Sequence, residues 1–376
     1  LSTVPSTALC DATIFTGETA VEGHALLIND GKIVDITRQV PDDAEKISCK
    51  GQILAPGLID AQVNGGGNIL LNNTPTLEAC LSVAKAHRAY GTTSLLLTCI
   101  SDSLGITKLF AVAARRARLS DAGILGMHFE GPHLSMERRG VHSPAALRQM
   151  ADDDLTFYKR QDDEVFLITV APENAPADKI KALSGQVIVA LGHTGASIED
   201  TQAALQAGAT GFTHLFNGMA GLSARAPGVA GVALDDRNSW CSIIADGHHV
   251  SPEMIRLAFR AKPFGKVILV SDAMAPAATD APEPFKLYGR NITVADGRCV
   301  TEDGKLAGAS ITLLDAVRYC VKHAGIELED ALRMASTFPA AFLGVGDRLG
   351  KLLPGFEARV IGLSPELGLK RVWTDA

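Results

Sequence analysis

The chain has 376 residues, 47% hydrophobic and 20% charged, a balance that excludes a disordered chain because enough apolar surface exists to offset the entropy of ordering. Thirty-five basic against 42 acidic residues leave a net charge of −7, and no Lys/Arg-rich run occurs, which argues against a nucleic-acid partner. No uncharged apolar run is long enough for a membrane-spanning helix, and Leu1 to Thr16 lacks the basic end and apolar stretch of a signal peptide.

The first segment reads as β-rich. Val21 to Ile28 and Lys32 to Ile36 are β-prone runs on either side of Asn29-Asp30-Gly31, the signature of a hairpin. Val360-Ile361-Gly362-Leu363 repeats this character near the other end. The two termini, residues 1–55 and 345–376, are therefore expected to build a small β-sandwich together, with a larger domain, residues 56–344, inserted between them.

Within the insert, strand-length apolar runs recur at Leu58–Val63, Thr93–Thr98, Ile124–Phe129, Phe166–Val170, Val187–Leu191, Gly211–Leu215, Cys241–Ala245 and Val267–Ser271. Segments with helical spacing alternate with them, among them Thr76–Tyr90, Ile106–Leu119, Ser197–Ala207 and Pro252–Arg260. Buried strands alternating with amphipathic helices indicate a parallel sheet covered by helices, and eight such units suit a (β/α)8 barrel of the α/β class. A doubly wound open sheet is the competing architecture, disfavoured because no Gly-x-Gly-x-x-Gly follows the first strand. The seven cysteines are scattered, odd in number and never spaced Cys-x-x-Cys; they read as reduced, mostly buried thiols of a cytoplasmic protein.

Chemistry in a barrel gathers where the strands end. The first run leads into Gln62 and Asn64, the third ends at Glu130, the fifth at His193, the sixth carries His214, the seventh delivers Asp246 to His249, and the eighth Asp272. Each alone has a bland reading as a cap or a hydrogen-bonded loop residue. Jointly, Glu130, His193 and His214 form a two-histidine, one-carboxylate set, the ligand complement of a catalytic divalent site with open positions. Asp272, across the mouth, suits a general base. His142 is expected beside the mouth in contact with substrate. His128 is expected to point opposite to Glu130 and pack in the wall, His133 to be structural, and His24, His87 and His323 to lie on the surface. Asp60 is expected to accept hydrogen bonds beneath the site.

The motifs Pro56-Gly57-Leu58-Ile59-Asp60, His128-Phe129-Glu130-Gly131-Pro132, Gly192-His193-Thr194, Thr213-His214-Leu215-Phe216-Asn217, Ala245-Asp246-Gly247-His248-His249 and Ser271-Asp272-Ala273 resemble, in the same order, those of the N-acetylglucosamine-6-phosphate deacetylases of the amidohydrolase superfamily. The likeness runs from about Leu54 to Leu343, and the flanking β-segments fit that family's small sandwich domain. Most amidohydrolases carry His-x-His on the first strand; here it is Gln62-x-Asn64, and no lysine ends the fourth strand at Ile168 to Ala171. Amides ligate zinc-like ions poorly, so a single divalent ion is expected on Glu130, His193 and His214, zinc foremost, with iron, manganese or cobalt as alternatives.

The resemblance further implies deacetylation of a phosphorylated N-acetyl amino sugar, with Asp272 serving as base and then acid and His142 contacting the acetyl carbonyl. It assigns the phosphate to Arg225 and His249 with backbone from Asn217 and Gly218, and places Leu306, Ala307 and Gly308 along the substrate through main-chain atoms. Gln62 and Asn64 are likewise expected to face substrate. A homodimer with phosphate contacts across its interface is implied. The galactosamine epimer is the nearest rival substrate. A cyclic-amide hydrolase or deaminase is disfavoured by the absent His-x-His and lysine, and a non-catalytic barrel by the retained ligands and Asp272.

Overall fold

A computed structural model describes residues 6–161, 163–295 and 297–374. Eight parallel strands form the central sheet in chain order: Leu58–Val63, Thr92–Ile100, Ile124–Glu130, Val165–Val170, Ile188–Leu191, Gly211–Phe212, Trp240–Ile243 and Val267–Leu269. Each pairs only with its sequence neighbours within this ladder. The seam between first and eighth closes through a bridge from Val63 to Ala273 and through Asp60, whose carboxylate accepts from the backbone of Gln62 and Ser271 at 3.1 and 3.3 Å. The result is a nearly closed (β/α)8 barrel. All nine residues of Thr92–Ile100 are buried, as expected of a strand covered on both faces.

Local chemistry starts the covering helices where the spacing predicts them. Thr76 caps Leu77–Ala89 by accepting from the Ala79 N–H, Ser103 caps Leu104–Ser120, and Ser197 caps Ile198–Gln206. The first helix buries Ala79, Cys80, Val83, Ala84 and His87, one stripe at helical period, against the barrel. His87 is thus a correction: it lies fully inside, with Nε2 2.9 Å from the Gly65 carbonyl, because its place on that stripe overrides its polarity.

Two further sheets are built from the segments before and after the barrel. One runs Lys32–Thr37, Ala25–Asn29, Thr7–Cys10, Glu45–Ser48; the other Leu369–Trp373, Val360–Leu363, Ile53–Pro56, Thr13–Phe15, Ala20–Val21. The C-terminal strands join only the second, where Val360–Leu363 pairs antiparallel with Ile53–Pro56, the segment leading into the first barrel strand. Leu9, Ile14, Leu26, Ile28, Leu54 and Val360 share one apolar core there. In the hairpin, Asp30 and Gly31 both take left-handed backbone (φ 49° and 66°), the type I′ geometry that an Asp-Gly pair favours.

An antiparallel meander, Phe285–Leu287, Arg290–Ala295, Arg298–Thr301 and Leu306–Ala309, follows the eighth barrel strand and was not foreseen. Its first turn, Tyr288-Gly289, again has two left-handed residues. The Ala309 N–H donates to the Asp272 carbonyl at 3.0 Å, tying this inserted sheet to the end of the barrel. No described helix is long and apolar enough to cross a membrane. The seven cysteines are free, six of them buried.

Candidate active site

The sixth and eighth barrel strands end earlier than their apolar runs suggest, at Phe212 and Leu269. The cause is backbone conformation. His193, His214 and Asp272 have φ of 48°, 35° and 49°, left-handed values that non-glycine residues seldom adopt and that break the ladder. Left-handed non-glycine residues cost free energy and persist where surrounding structure enforces them. Here the turn swings these side chains over the barrel mouth, where Glu130 arrives from the third strand.

Ligand atoms of Glu130, His193 and His214 all lie within 4.8 Å of one another, and all three residues are buried. His214 Nε2 is 2.7 Å from Glu130 Oε1 and 3.1 Å from His193 Nε2, while His193 Nε2 is 3.2 Å from the same oxygen. His193 Nδ1 donates to the Arg138 carbonyl at 2.8 Å, so its Nε2 offers a lone pair to the shared point. Two imidazole nitrogens and a carboxylate oxygen, mutually close and shielded from water, suit one divalent cation. The donor set fits the group. Burial opposes ionisation of Glu130, yet the adjoining His193 and His214 imidazoles hold its carboxyl well below the ordinary range. Burial alone would lower His214; Glu130 reverses this and raises it.

Asp272 stands across the cleft. Gln62 Nε2 and Asn64 Nδ2 both donate to its Oδ1, at 3.1 and 2.7 Å. Gln62 and Asn64 were expected to face substrate. The structure turns both amides onto this carboxylate, and Gln62 lines the barrel interior below the cleft. Burial, followed by the Glu130 charge, pushes the Asp272 carboxyl up to about 6. His142 is buried beside His193, ring centroids 4.6 Å apart, with Nε2 3.7 Å from Glu130 Oε2. Burial and the neighbouring His193 push it down to about 3, so it is neutral near pH 7.

These groups share an open cleft of about 710 Å³. Asn64, Glu130, His142, His193, His214, Asn217, Gly218, His249, Asp272, Leu306 and Gly308 line it, joined by Ile100, Val141, Ile244 and Met274. Gly218 has φ +61°, and a Cβ there would sit 2.7 Å from His193 Nδ1, so only glycine lets this loop close on the histidine. His249 Nδ1 donates to Asp246 Oδ2 at 2.6 Å. Ala307 is fully buried in the small core of the inserted sheet, leaving its neighbours to reach the cleft. Arg225 is exposed on the loop before the helix Gly228–Asp235 and is not part of the cleft wall.

His128 also departs from expectation. Residues two apart on a strand share a face, so His128 points inward like Glu130, one layer lower. There Nε2 meets Thr169 Oγ1 at 2.8 Å. His133 is buried between the Tyr158 hydroxyl and the Arg148 carbonyl. His323 is exposed and His24 partly so. The sequence reading missed Ser101 altogether. The second strand extends past the predicted Thr98 to Ile100, and Ser101, next in line, has its N–H and Oγ at 3.3 and 2.9 Å from His142 Nδ1. The run of β-formers through Ile100 carried that signal.

The Amidohydrolase family model matches residues 53–370, and the NagA composite domain matches residues 7–54. An N-acetylgalactosamine-6-phosphate deacetylase of a Shewanella species is 38% identical, the match covering 96% of this chain and 93% of that protein. An N-acetylglucosamine-6-phosphate deacetylase of Haemophilus influenzae is 32% identical over 95% of each. A crystal structure of N-acetylglucosamine-6-phosphate deacetylase from Pasteurella multocida superposes with a TM-score of 0.95 at 33% identity, covering 99% of this chain and 98% of that one. Barrel, flanking sheets and matched sequence agree: the chain is an enzyme of the amidohydrolase family.

Proposed function

We propose that the protein hydrolyses N-acetyl-D-glucosamine 6-phosphate to D-glucosamine 6-phosphate and acetate. The observation that carries this is the convergence in one cleft of Glu130, His193 and His214 with Asp272 and His142. Relatives of both epimeric specificities at 32–38% identity support the substrate class. An acetamide is a weak electrophile and its amine a poor leaving group, so three things are needed: an activated water, a proton carrier and a donor for the developing oxyanion.

Glu130, His193 and His214 would hold a divalent ion, which we take to be zinc, and when bound it would supply a water acidified toward neutral pH. Asp272 receives the water's proton. Its Oδ1 is occupied by Gln62 and Asn64, so Oδ2 is the atom that takes the proton and then delivers it to the departing nitrogen. His142 presents Nε2–H to the acetyl oxygen as negative charge grows there. Leu306 and Gly308 border the sugar, and His249 with the backbone of Asn217 and Gly218 receives the phosphate. Arg225 would grip it bidentately from its exposed loop, with further contacts from a second copy in a homodimer. A cytoplasmic location accords with the free thiols.

Acetate release from both sugar phosphates tests the reading. The gluco substrate is expected to show the higher kcat/KM. A preference for N-acetyl-D-galactosamine 6-phosphate, which the 38% identical relative favours, replaces it with the epimer. No release from either rejects the substrate class.

A further inference from the structure

Ser101 is 2% exposed and touches both halves of the proposed machinery. Its N–H points at His142 Nδ1 from 3.3 Å, and its Oγ lies 2.9 Å from the same nitrogen and 3.2 Å from the Glu130 carbonyl oxygen. A backbone N–H only donates, so Nδ1 must present its lone pair, and the neutral ring then carries its proton on Nε2. Nε2 is 3.7 Å from Glu130 Oε2, too far for a hydrogen bond, which leaves Nε2–H for the cleft. The Tyr288 hydroxyl, from the first turn of the inserted sheet, donates to the Ser101 carbonyl. Space is also reserved for Ser101: a Cβ at Gly131 would lie 2.2 Å from its Oγ.

We infer that Ser101 is a positioning residue that keeps the His142 proton on Nε2 and spaces that ring from Glu130, with Tyr288 of the inserted sheet holding Ser101 in place. The inference rests on the reading of His142 as donor to the acetyl oxygen. It gives the inserted sheet a part in the chemistry through Tyr288, which does not itself line the cleft. Glu130 and His142 come from different segments, the third strand and the loop after it, and Ser101 lies against both, its one hydroxyl hydrogen closer to His142 Nδ1 at 2.9 Å than to the Glu130 carbonyl at 3.2 Å.

The test is made on zinc-loaded enzyme with ¹⁵N-labelled histidine and N-acetyl-D-glucosamine 6-phosphate. Ser101→Ala is expected to lower kcat about 10- to 100-fold, the range typical of outer-shell partners, with KM and zinc content little changed. With the 2.9 Å hydroxyl contact gone and only the longer 3.3 Å backbone N–H left on Nδ1, the His142 nitrogen signals should move from the Nε2-protonated pattern toward a mixture of tautomers, and Ser101→Thr should restore both kcat and signals. Tyr288→Phe should move the same signals by less, and it keeps the test available if Ser101→Ala fails to fold. Unchanged His142 signals in the variants, or unchanged kcat in Ser101→Ala, overturn the inference. His142→Ala separates it from the reading beneath: wild-type kcat in that variant rejects His142 as the donor, whereas a slow His142→Ala beside an unaffected Ser101→Ala rejects only the part given to Ser101.

Discussion

Two layers of the barrel interior, one residue pair apart on the third strand, hold histidines of opposite character. In the lower layer His128 sits on regular strand backbone with Nε2 bonded to Thr169 Oγ1, which in turn meets Thr213 Oγ1 at 2.7 Å. In the upper layer His193 and His214 sit on left-handed backbone and turn their Nε2 atoms on each other and on Glu130 Oε1. Both layers are buried, and both are polar. What separates a structural histidine from a ligand is therefore the partner: hydroxyls can rotate to satisfy an imidazole, whereas two facing lone pairs and a carboxylate require a cation or a shared proton.

The strongest way to break this contrast lies in the upper layer, at Asp272. Asp272→Asn preserves shape and removes the proton carrier, so kcat should fall about 10³-fold while metal analysis still finds the ion. Turnover near wild type would remove Asp272 from the chemistry. Next come the histidines themselves. His193→Ala and His214→Ala should each lose the metal on dialysis and at least about 100-fold in activity, since each removes one of three ligands. His128→Ala should keep the metal and instead lose about 2–3 kcal/mol of stability in chemical denaturation, from a buried cavity and the lost hydrogen bond to Thr169. Metal loss from His128→Ala with stability intact would erase the distinction between the layers.

The smallest effect concerns pH. Asp272 must be ionised to act as base, so activity falls as pH drops through its pKa. Burial and Glu130 place that value at about 6 without a cation. A bound divalent ion favours the carboxylate, so the acid limb of the kcat/KM profile should lie below this value. A limb well above pH 7 would mean that another group is titrating.

Much of this was legible in the residues. Continuous apolar runs marked every barrel strand because a strand covered on both faces has no polar side to show. The polar residues ending those runs stood out for the same reason. Other features were not legible. His87 reads as a surface residue until its helical stripe is seen to face the barrel. Gln62 and Asn64, at the end of the first strand, meet Asp272, just beyond the eighth, only because the barrel closes, a separation of 210 and 208 residues. The inserted sheet has short, mostly half-exposed strands, whose weak alternation leaves little signal beyond its glycine turns.

Sequence alone determined that eight buried strands alternate with helices and which polar residues lie near their ends, because strand periodicity and burial are local properties of the chain. Tertiary structure alone decided their partners: which histidine nitrogens face one another, which amides grip Asp272, and that Ser101 reaches His142. Those pairings depend on closure and on backbone turns at φ values that neighbouring residues do not encode, so they exist only once distant segments pack.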